Sequence, residues 1–537
     1  MEQVVSAIET VYEKARTHLK EKLSKNGQLS GSLLNKHQLP AHGLAYLGTE
    51  LEACRQVVEW ANRVGGDYEK KIARAYLGEL ARTLSAGVDL GACETVSMAE
   101  LGLTEADLDA TVRRPEILAF SAEHASAEAY VAIAKHAKEN GYGDLGLGDE
   151  TLVEIRNQFA KFADTEVIPI AQDIHRKDVL IPMSILEKMS ELGVFGLTIP
   201  EEYGGLGLSK VAMCIVTEEL SRGYIGVGSL GTRAEIAAEL IQGGGTEEQK
   251  QHWLPKIAAG EVLSTAVFTE PNTGSDLASL NTRAEKQADG SYVVQGQKTW
   301  ITHAARANLM TLLARTDVNE PGYKGLSMFL AEKTLVDAKH GEPEFVDEGL
   351  TGTEIKVLGY RGMKEYELSF DGFKVPGSAL LGGEEGAGFK QLMRTFESAR
   401  IQTAARGIGV AQASLNDAML YANEREQFGG PIFQFPRVAR KIGRMVVRIQ
   451  AARQLTFFSA RQKDSEKRCD LEAGMAKLLA TRAAWEAADA NVQIHGGNGF
   501  AEEYLASRLL VDARVLSIFE GANEIQAQVV ARRLLEG

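Results

Sequence analysis

The stretch TRAEKQADGSYVVQGQKTWIT, residues 282–302, decides how the rest of the chain is read. Asp289-Gly290 separates two β-like runs, the short-range signature of a hairpin, because a tight reversal needs left-handed backbone angles that these residues adopt at low cost. Alternation along the second run places Trp300 and Thr302 on one face of a strand. Further strand-like runs stand at Asn308 to Thr316, Gly325 to Lys333 and Leu368 to Val375, so a β domain is expected over about 261–378.

On either side the hydrophobic period lengthens. Leu152, Ile155, Phe159 and Phe162 recur at helical spacing, as do Val438, Ile442, Met445 and Ile449, which predicts helical domains over 149–260 and 379–537. Residues 1–148 are also helical in texture, for instance from Leu51 to Leu84, and end in the glycine-rich ENGYGDLGLGD of 139–149, which reads as a linker. Strands gathered into one segment, instead of alternating with helices, argue against a doubly wound parallel sheet. The expected fold is mostly α with a central β domain.

Composition narrows the function. The chain has 537 residues, enough for about three or four domains. With 44% apolar and 25% charged residues it is ordinary globular material. Cys54, Cys93, Cys214 and Cys469 form neither a CxxC pair nor a Cys/His cluster, so no metal site and no disulfide scaffold is expected, and a reducing, cytoplasmic setting fits. Charges alternate with apolar residues through 1–25, and no apolar run approaches ~18 residues, so neither a signal peptide nor a membrane span is expected. A net charge of −14 disfavours nonspecific nucleic-acid binding but is compatible with a local cationic pocket for a phosphorylated ligand. The glycine clusters at 383–388 and 407–409 do not follow a strand of a βαβ unit, and P-loop, HExxH and GxSxG motifs are absent.

Three segments invite a chemical reading. TEPNTGSD at 269–276 has the composition of a turn-rich loop. KTWIT at 298–302 sets an aromatic ring beside a hydroxyl. FEGANEIQ at 519–526 puts Glu520 just ahead of a helical run that ends in Arg532-Arg533, an arrangement the helix dipole alone would favour. With LSFDGFKVP (368–376), GAGF (386–389), REQFG (425–429) and QIHGGNGF (493–500), in this order, they resemble the acyl-CoA dehydrogenase family over everything beyond about residue 148.

That resemblance implies a helical domain, a β-barrel and a four-helix bundle, here preceded by an N-terminal helical extension. It implies FAD-dependent α,β-dehydrogenation of an acyl-CoA, with electrons passed to electron-transfer flavoprotein. Glu520 matches the family's catalytic base, and Gly521 permits close approach to the thioester. Some relatives take their base from a position that is Ala399 here, before Arg400; alanine accepts no proton, which leaves Glu520. The flavin contacts carried over are Phe268, Thr269, Ser275, Trp300 and Thr302, with Thr302 at the hydride-accepting N5 edge. Arg425, Phe428, Gln493 and Gly497 match residues that bind the adenine-diphosphate part of a neighbouring subunit's FAD, which implies a homodimer or a dimer of dimers. At Ala522 the chain departs from the hydroxyl common after Glu-Gly, and Asn523 or Glu524 are the replacement polar contacts. CoA is expected along Ser275, Phe396, Glu397 and Arg400.

The extension, with GYRGMKEYELSFDGFKVP at 359–376, resembles the branch of the family that acts on short branched dicarboxylyl-CoA thioesters. A free carboxylate on the substrate needs a buried cationic partner. Arg233 is the first candidate and Arg361 the second. Alternatives at this stage are another short branched acyl-CoA, an acyl-CoA oxidase or flavin monooxygenase on the same fold, and a nucleic-acid-associated homologue, the last disfavoured by the acidic charge.

Overall fold

A computed structural model describes residues 1–91, 94–336, 345–465 and 467–537; Cys93 lies outside them. The chain divides into two compact units, one formed by residues 158–402 and the other by 1–157 together with 403–537.

The first of these units is built on a seven-stranded sheet. Its strand order is Leu350–Ile355, Glu365–Val375, Tyr292–Thr302, Arg283–Lys286, Leu309–Arg315 and Ser264–Val267, with Leu326–Glu332 also paired to Leu309–Arg315. The hairpin forms where Asp289-Gly290 predicts it: Lys286 pairs with Tyr292, and Gly290 takes the left-handed conformation at φ 85° that closes the reversal. Val267, Val294, Ile301, Leu312, Phe329 and Leu368 fill the core between the curled faces. Helices Lys210–Gly223, Ile225–Gly244 and Glu247–Ala258 belong to the same unit.

One strand departs from the simple alternation. Tyr366 pairs with Ile301 and Leu368 with Lys298, so Thr299 and Trp300 together face Glu367. This bulge, with Trp300 at φ 58°, resets the pleat. Trp300 and Thr302 therefore do not share a face: Trp300 is 57% exposed while Thr302 is buried. The expectation from period 2 is corrected by one inserted residue.

In the other unit the N-terminal extension and the C-terminal helices make one body. Pro436–Asp464 packs on Ala127–Asn140 and Gln38–Val64 as well as on Asp470–His495, and Asn523–Glu536 packs on Gln38–Val64. Approach is close enough that a Cβ at Gly443 would stand 2.0 Å from the Tyr130 carbonyl oxygen. The helical reading of the extension holds, with two short strand pairs it did not anticipate, Ser24–Lys25 with Gln28–Leu29 and Val88–Gly91 with Glu94–Val96.

Charge runs through this seam. Arg448 reaches Glu50 at 3.3 Å, and Arg444 reaches Glu79 at 2.8 Å and Glu486 at 2.9 Å. Arg482 joins Glu486 at 2.9 Å. Tyr76 and Tyr130 donate their hydroxyls to Glu50 and Glu79. Burial opposes ionisation of Glu486, but Arg448, Arg444 and Arg482 outweigh it and hold its carboxyl far below the ordinary range.

Cys54, Cys214 and Cys469 are buried and, among the described residues, form no disulfide. Among the described residues no helix is long and apolar enough to cross a membrane, and no cluster of His, Cys, Asp and Glu is arranged to hold a metal.

Candidate active site

Glu520 occupies the turn between helices Leu505–Leu516 and Asn523–Glu536. Its backbone is left-handed at φ 51° and Gly521 follows at φ 90°, a conformation that a non-glycine residue holds only where its surroundings enforce it. Lys477, fully buried, donates from Nζ to the Gly521 carbonyl at 2.6 Å. Gln526 Nε2 donates to the carbonyls of Gly521 at 3.3 Å and Glu520 at 3.4 Å. At φ 90° position 521 lies where a side chain is strained, which favours glycine there.

Thr403 donates its hydroxyl to Glu520 Oε2, and Arg406 Nη2 donates to the same oxygen at 2.5 Å and to Thr403 Oγ1 at 2.7 Å. Arg406 is fully buried, its guanidinium 4.9 Å from the centroid of the Phe519 ring. An arginine in contact favours the ionised form of a carboxylate.

The same unit holds the residues expected to grip a partner's cofactor. Phe428 sits at the tip of the Glu426–Gln427 and Gly430–Pro431 hairpin, 92% exposed, with Arg425 exposed just before it. Gln493 and Gly497 are exposed too. Their turn is tied to the helix that carries Arg425: His495 stacks on Tyr421 at 3.9 Å, and Asn498 Nδ2 donates to the Tyr421 hydroxyl at 3.0 Å. Of the two replacements for Ala522, Asn523 accepts from Thr481 Oγ1 at 3.3 Å, whereas Glu524 is exposed.

In the sheet-bearing unit the loop after Val267 and the strand Tyr292–Thr302 are clamped together by a buried ion pair that the motifs contain but do not announce. Lys298 donates to the Phe268 carbonyl at 2.9 Å and to Glu270 Oε1 at 3.0 Å. Glu270 also accepts from the backbone N–H of Asn281 at 2.7 Å and Thr282 at 2.8 Å, and Thr299 N–H donates to the Thr269 carbonyl at 2.9 Å. Burial pushes Lys298 down to about 8, against the pull of Glu270. Phe268, Thr269, Trp300 and Thr302 are thus brought together, and Ser275 stands exposed on the same loop. The Phe268 ring meets Phe396 edge-on at 6.4 Å, and Arg400 lies 5.9 Å over Phe396, with Glu397 half-buried beside it in sequence. Ala399 is buried.

Thr302 Oγ1 lies 3.0 Å from Glu365 Oε2. Arg233 is buried on helix Ile225–Gly244 and acts electrostatically on both Glu365 and His303. Arg361 is committed elsewhere, donating to the carbonyls of Val357 and His175 at 3.0 Å each. A flat aromatic face in water beside a polar loop suits a flavin ring, and an exposed phenylalanine with an arginine suits a nucleotide.

Thr403, Arg406, Lys477, Glu270, Lys298 and Glu365 escaped the motif reading. The signal for Arg406 and Lys477 is a cation inside an apolar helical run, TAARGIGVAQ and GMAKLLAT, since a charge on a buried face must have a partner.

The chain belongs to the acyl-CoA dehydrogenase family: its N-terminal, middle and C-terminal domain models match residues 149–261, 265–373 and 386–535. It is 56% identical to a (2S)-methylsuccinyl-CoA dehydrogenase of Cereibacter sphaeroides over 98% of this chain and 96% of that one. A chain from a structure of the electron-transferring flavoprotein of Acidaminococcus fermentans aligns with TM-score 0.67 at 32% identity, covering 72% of this chain and 99% of its own. A glutaryl-CoA dehydrogenase from Mycobacterium smegmatis, in complex with FADH2, aligns with TM-score 0.65 at 27% identity over 72% and 95%.

Proposed function

We propose that this acyl-CoA dehydrogenase oxidises (2S)-methylsuccinyl-CoA to mesaconyl-CoA with FAD and passes the electrons to electron-transfer flavoprotein. The observation that carries the substrate is the 56% identity running through 98% of the chain, and so through the extension; the fold relatives named above cover 72%.

FAD, when bound, supplies the hydride acceptor. Phe268, Thr269, Ser275, Trp300 and Thr302 hold its ring, and Arg425, Phe428, Gln493, Gly497 and Glu524 take the nucleotide end of a partner's cofactor in a homodimer or dimer of dimers. Ser275, Phe396, Glu397, Arg400 and Gly521 receive the CoA thioester. Glu520 removes the α-proton. To do so it must leave Arg406, because a carboxylate held by an arginine has little affinity for a proton, and exclusion of water by the substrate then strengthens it as a base. The Glu520 N–H stabilises enolate-like charge on the thioester oxygen. Arg233 is the partner for the substrate's carboxylate; Arg361, already engaged on two carbonyls, is the weaker candidate. The reading keeps the boundaries 1–148, 149–260, 261–378 and 379–537 and a cytoplasmic setting.

Anaerobic titration of the holoenzyme with methylsuccinyl-CoA, succinyl-CoA and isobutyryl-CoA tests the substrate. Methylsuccinyl-CoA should bleach the flavin band fastest; equal or faster bleaching by isobutyryl-CoA rejects the dicarboxylyl reading. Arg233→Met should raise KM for methylsuccinyl-CoA far more than for isobutyryl-CoA, and equal effects on the two would remove Arg233 from the carboxylate site.

A further inference from the structure

Thr302 ends one strand and Glu365 begins its antiparallel neighbour, and the register sets them directly opposite each other. The hydroxyl-to-carboxyl contact at 3.0 Å is, among the described residues, the hydrogen bond that the Glu365 side chain makes. The Thr302 backbone is pinned, its carbonyl accepting from Thr265 Oγ1 at 2.7 Å, so the hydroxyl proton is the part left to rotate.

The charges around Glu365 are few. Arg233 faces it from helix Ile225–Gly244. His303, next after Thr302, is fully buried, and neither ring nitrogen has a hydrogen-bond partner among the described residues. Burial, with Arg306, Arg233 and Lys333, pushes His303 down to about 3, so it is neutral. Lys364 and Glu354 pair with each other at 3.2 Å. Burial pushes Glu365 up to about 7, against the opposing pull of Thr302 and Arg233. Both of its protonation states are accessible near neutrality.

The hydrogen bond has a direction in each state. An ionised carboxylate only accepts, so the Thr302 O–H must point at it and the hydroxyl offers lone pairs outward. A protonated carboxyl donates to Thr302 Oγ1, and the hydroxyl proton turns outward instead. A flavin N5 accepts a hydrogen bond when oxidised and donates one, as N–H, when reduced.

We propose that Glu365 is a positioning residue that sets the direction of the Thr302 hydroxyl against the flavin, carrying a proton while the ring is oxidised and releasing it when the ring is reduced. This rests on the placement of Thr302 at N5 proposed above. The balance is simple. In turnover the ring gains two electrons and one proton together as hydride from the substrate's β-carbon, and Glu365 loses one proton to solvent. Reduction of the flavin with Glu365 thus takes up two electrons with no net proton.

The readout is the midpoint potential of the bound flavin against pH, by anaerobic dye-equilibrated spectroelectrochemistry over about pH 6–8, a window centred on the neutral range where such a carboxyl titrates. The wild-type holoenzyme should show a slope well below that of one proton per two electrons. Glu365→Gln, which carries no exchangeable charge, should restore the full one-proton slope, and so should Thr302→Val, which cuts the link. A full slope already present in the wild type, or a flat slope surviving in either variant, overturns the proposal. Should Glu365→Gln fail to retain flavin, the Thr302→Val curve decides. If Thr302→Val leaves spectrum and potential at wild-type values, the placement of Thr302 at the flavin falls and the proposal with it. A shifted potential with an unchanged slope removes the proposal alone.

Discussion

Glu520 and Glu365 are side chains of one type, one in each compact unit, and they differ both in burial, the Glu520 side chain being 12% exposed and Glu365 buried, and in the cation beside them. Glu520 rests on the guanidinium of Arg406 and the hydroxyl of Thr403. Glu365 also meets a threonine hydroxyl, but among the described residues no cation lies within ion-pair distance of it. Burial therefore dominates at Glu365 and lifts its proton affinity, whereas the arginine at Glu520 works the other way. The seam between extension and C-terminal helices carries the second pattern to its limit: Glu486 is buried yet ionised because three arginines surround it. Whether a buried carboxyl at rest holds a proton or stays ionised is decided by the cation next to it, not by burial alone.

The largest expected effect removes the base. Glu520→Gln keeps the shape of the turn and should slow flavin bleaching by substrate ~10³-fold or more with FAD still bound; full bleaching at the wild-type rate would reject Glu520 as the base. Next is the arginine cage. Arg448→Met strips Glu50 and Glu486 of a buried partner and should cost roughly 3–5 kcal/mol of stability, since it leaves charge buried without compensation. The pH dependence has a definite sign. The folded-state affinity of Glu486 for a proton lies below its unfolded value, so its contribution is fully present above the ordinary carboxylate range and is lost progressively as pH falls from that range toward the lower folded value. Thermal melts from pH 7 down to 3 should show this acid loss in the wild type and a weaker one in Glu486→Gln. Smaller again is Arg406→Gln. Freed from the guanidinium, Glu520 binds its proton more tightly, and the acid limb of kcat/KM should move up by about 1–2 pH units. Glu365→Gln should leave that limb in place. An equal shift in both variants would erase the distinction between the two carboxyls.

Much of this was visible along the chain. The Asp289-Gly290 reversal, the strand runs and the helical periods on either side are local signals, and they survive into the structure because each agrees with the tertiary fold. Glu520 was visible only because its motif stands in an ordered series with six others. What stayed hidden depends on distant residues. Trp300 turns outward because one residue is inserted opposite Glu367, and alternation counted along one strand cannot register its neighbour. Glu50 and Glu79 look like the solvated charges of an ordinary helix; they are buried because arginines from the far end of the chain reach them. Glu270 and Lys298 both lie inside quoted motifs, yet their pairing exists only once the loop folds onto the strand.

Thr403 offers the finest test of the comparison. Both carboxyls have a threonine hydroxyl, so what each hydroxyl contributes can be separated from what Arg406 contributes. Thr403→Val preserves volume and removes one donor from a carboxylate that keeps its arginine. Because a hydrogen bond to the charged form favours ionisation, losing it should raise the acid limb of kcat/KM by roughly 0.3–0.7 pH unit, well short of the shift in Arg406→Gln. In the double variant the two shifts should fall short of additive, since Arg406 Nη2 also donates to Thr403 Oγ1 and the three groups share one network. Strict additivity would mean that the hydroxyl acts on Glu520 alone; a Thr403→Val shift as large as that of Arg406→Gln would mean that the arginine holds Glu520 mainly by orienting this hydroxyl, and the contrast between the two units would then rest on threonine geometry instead of charge.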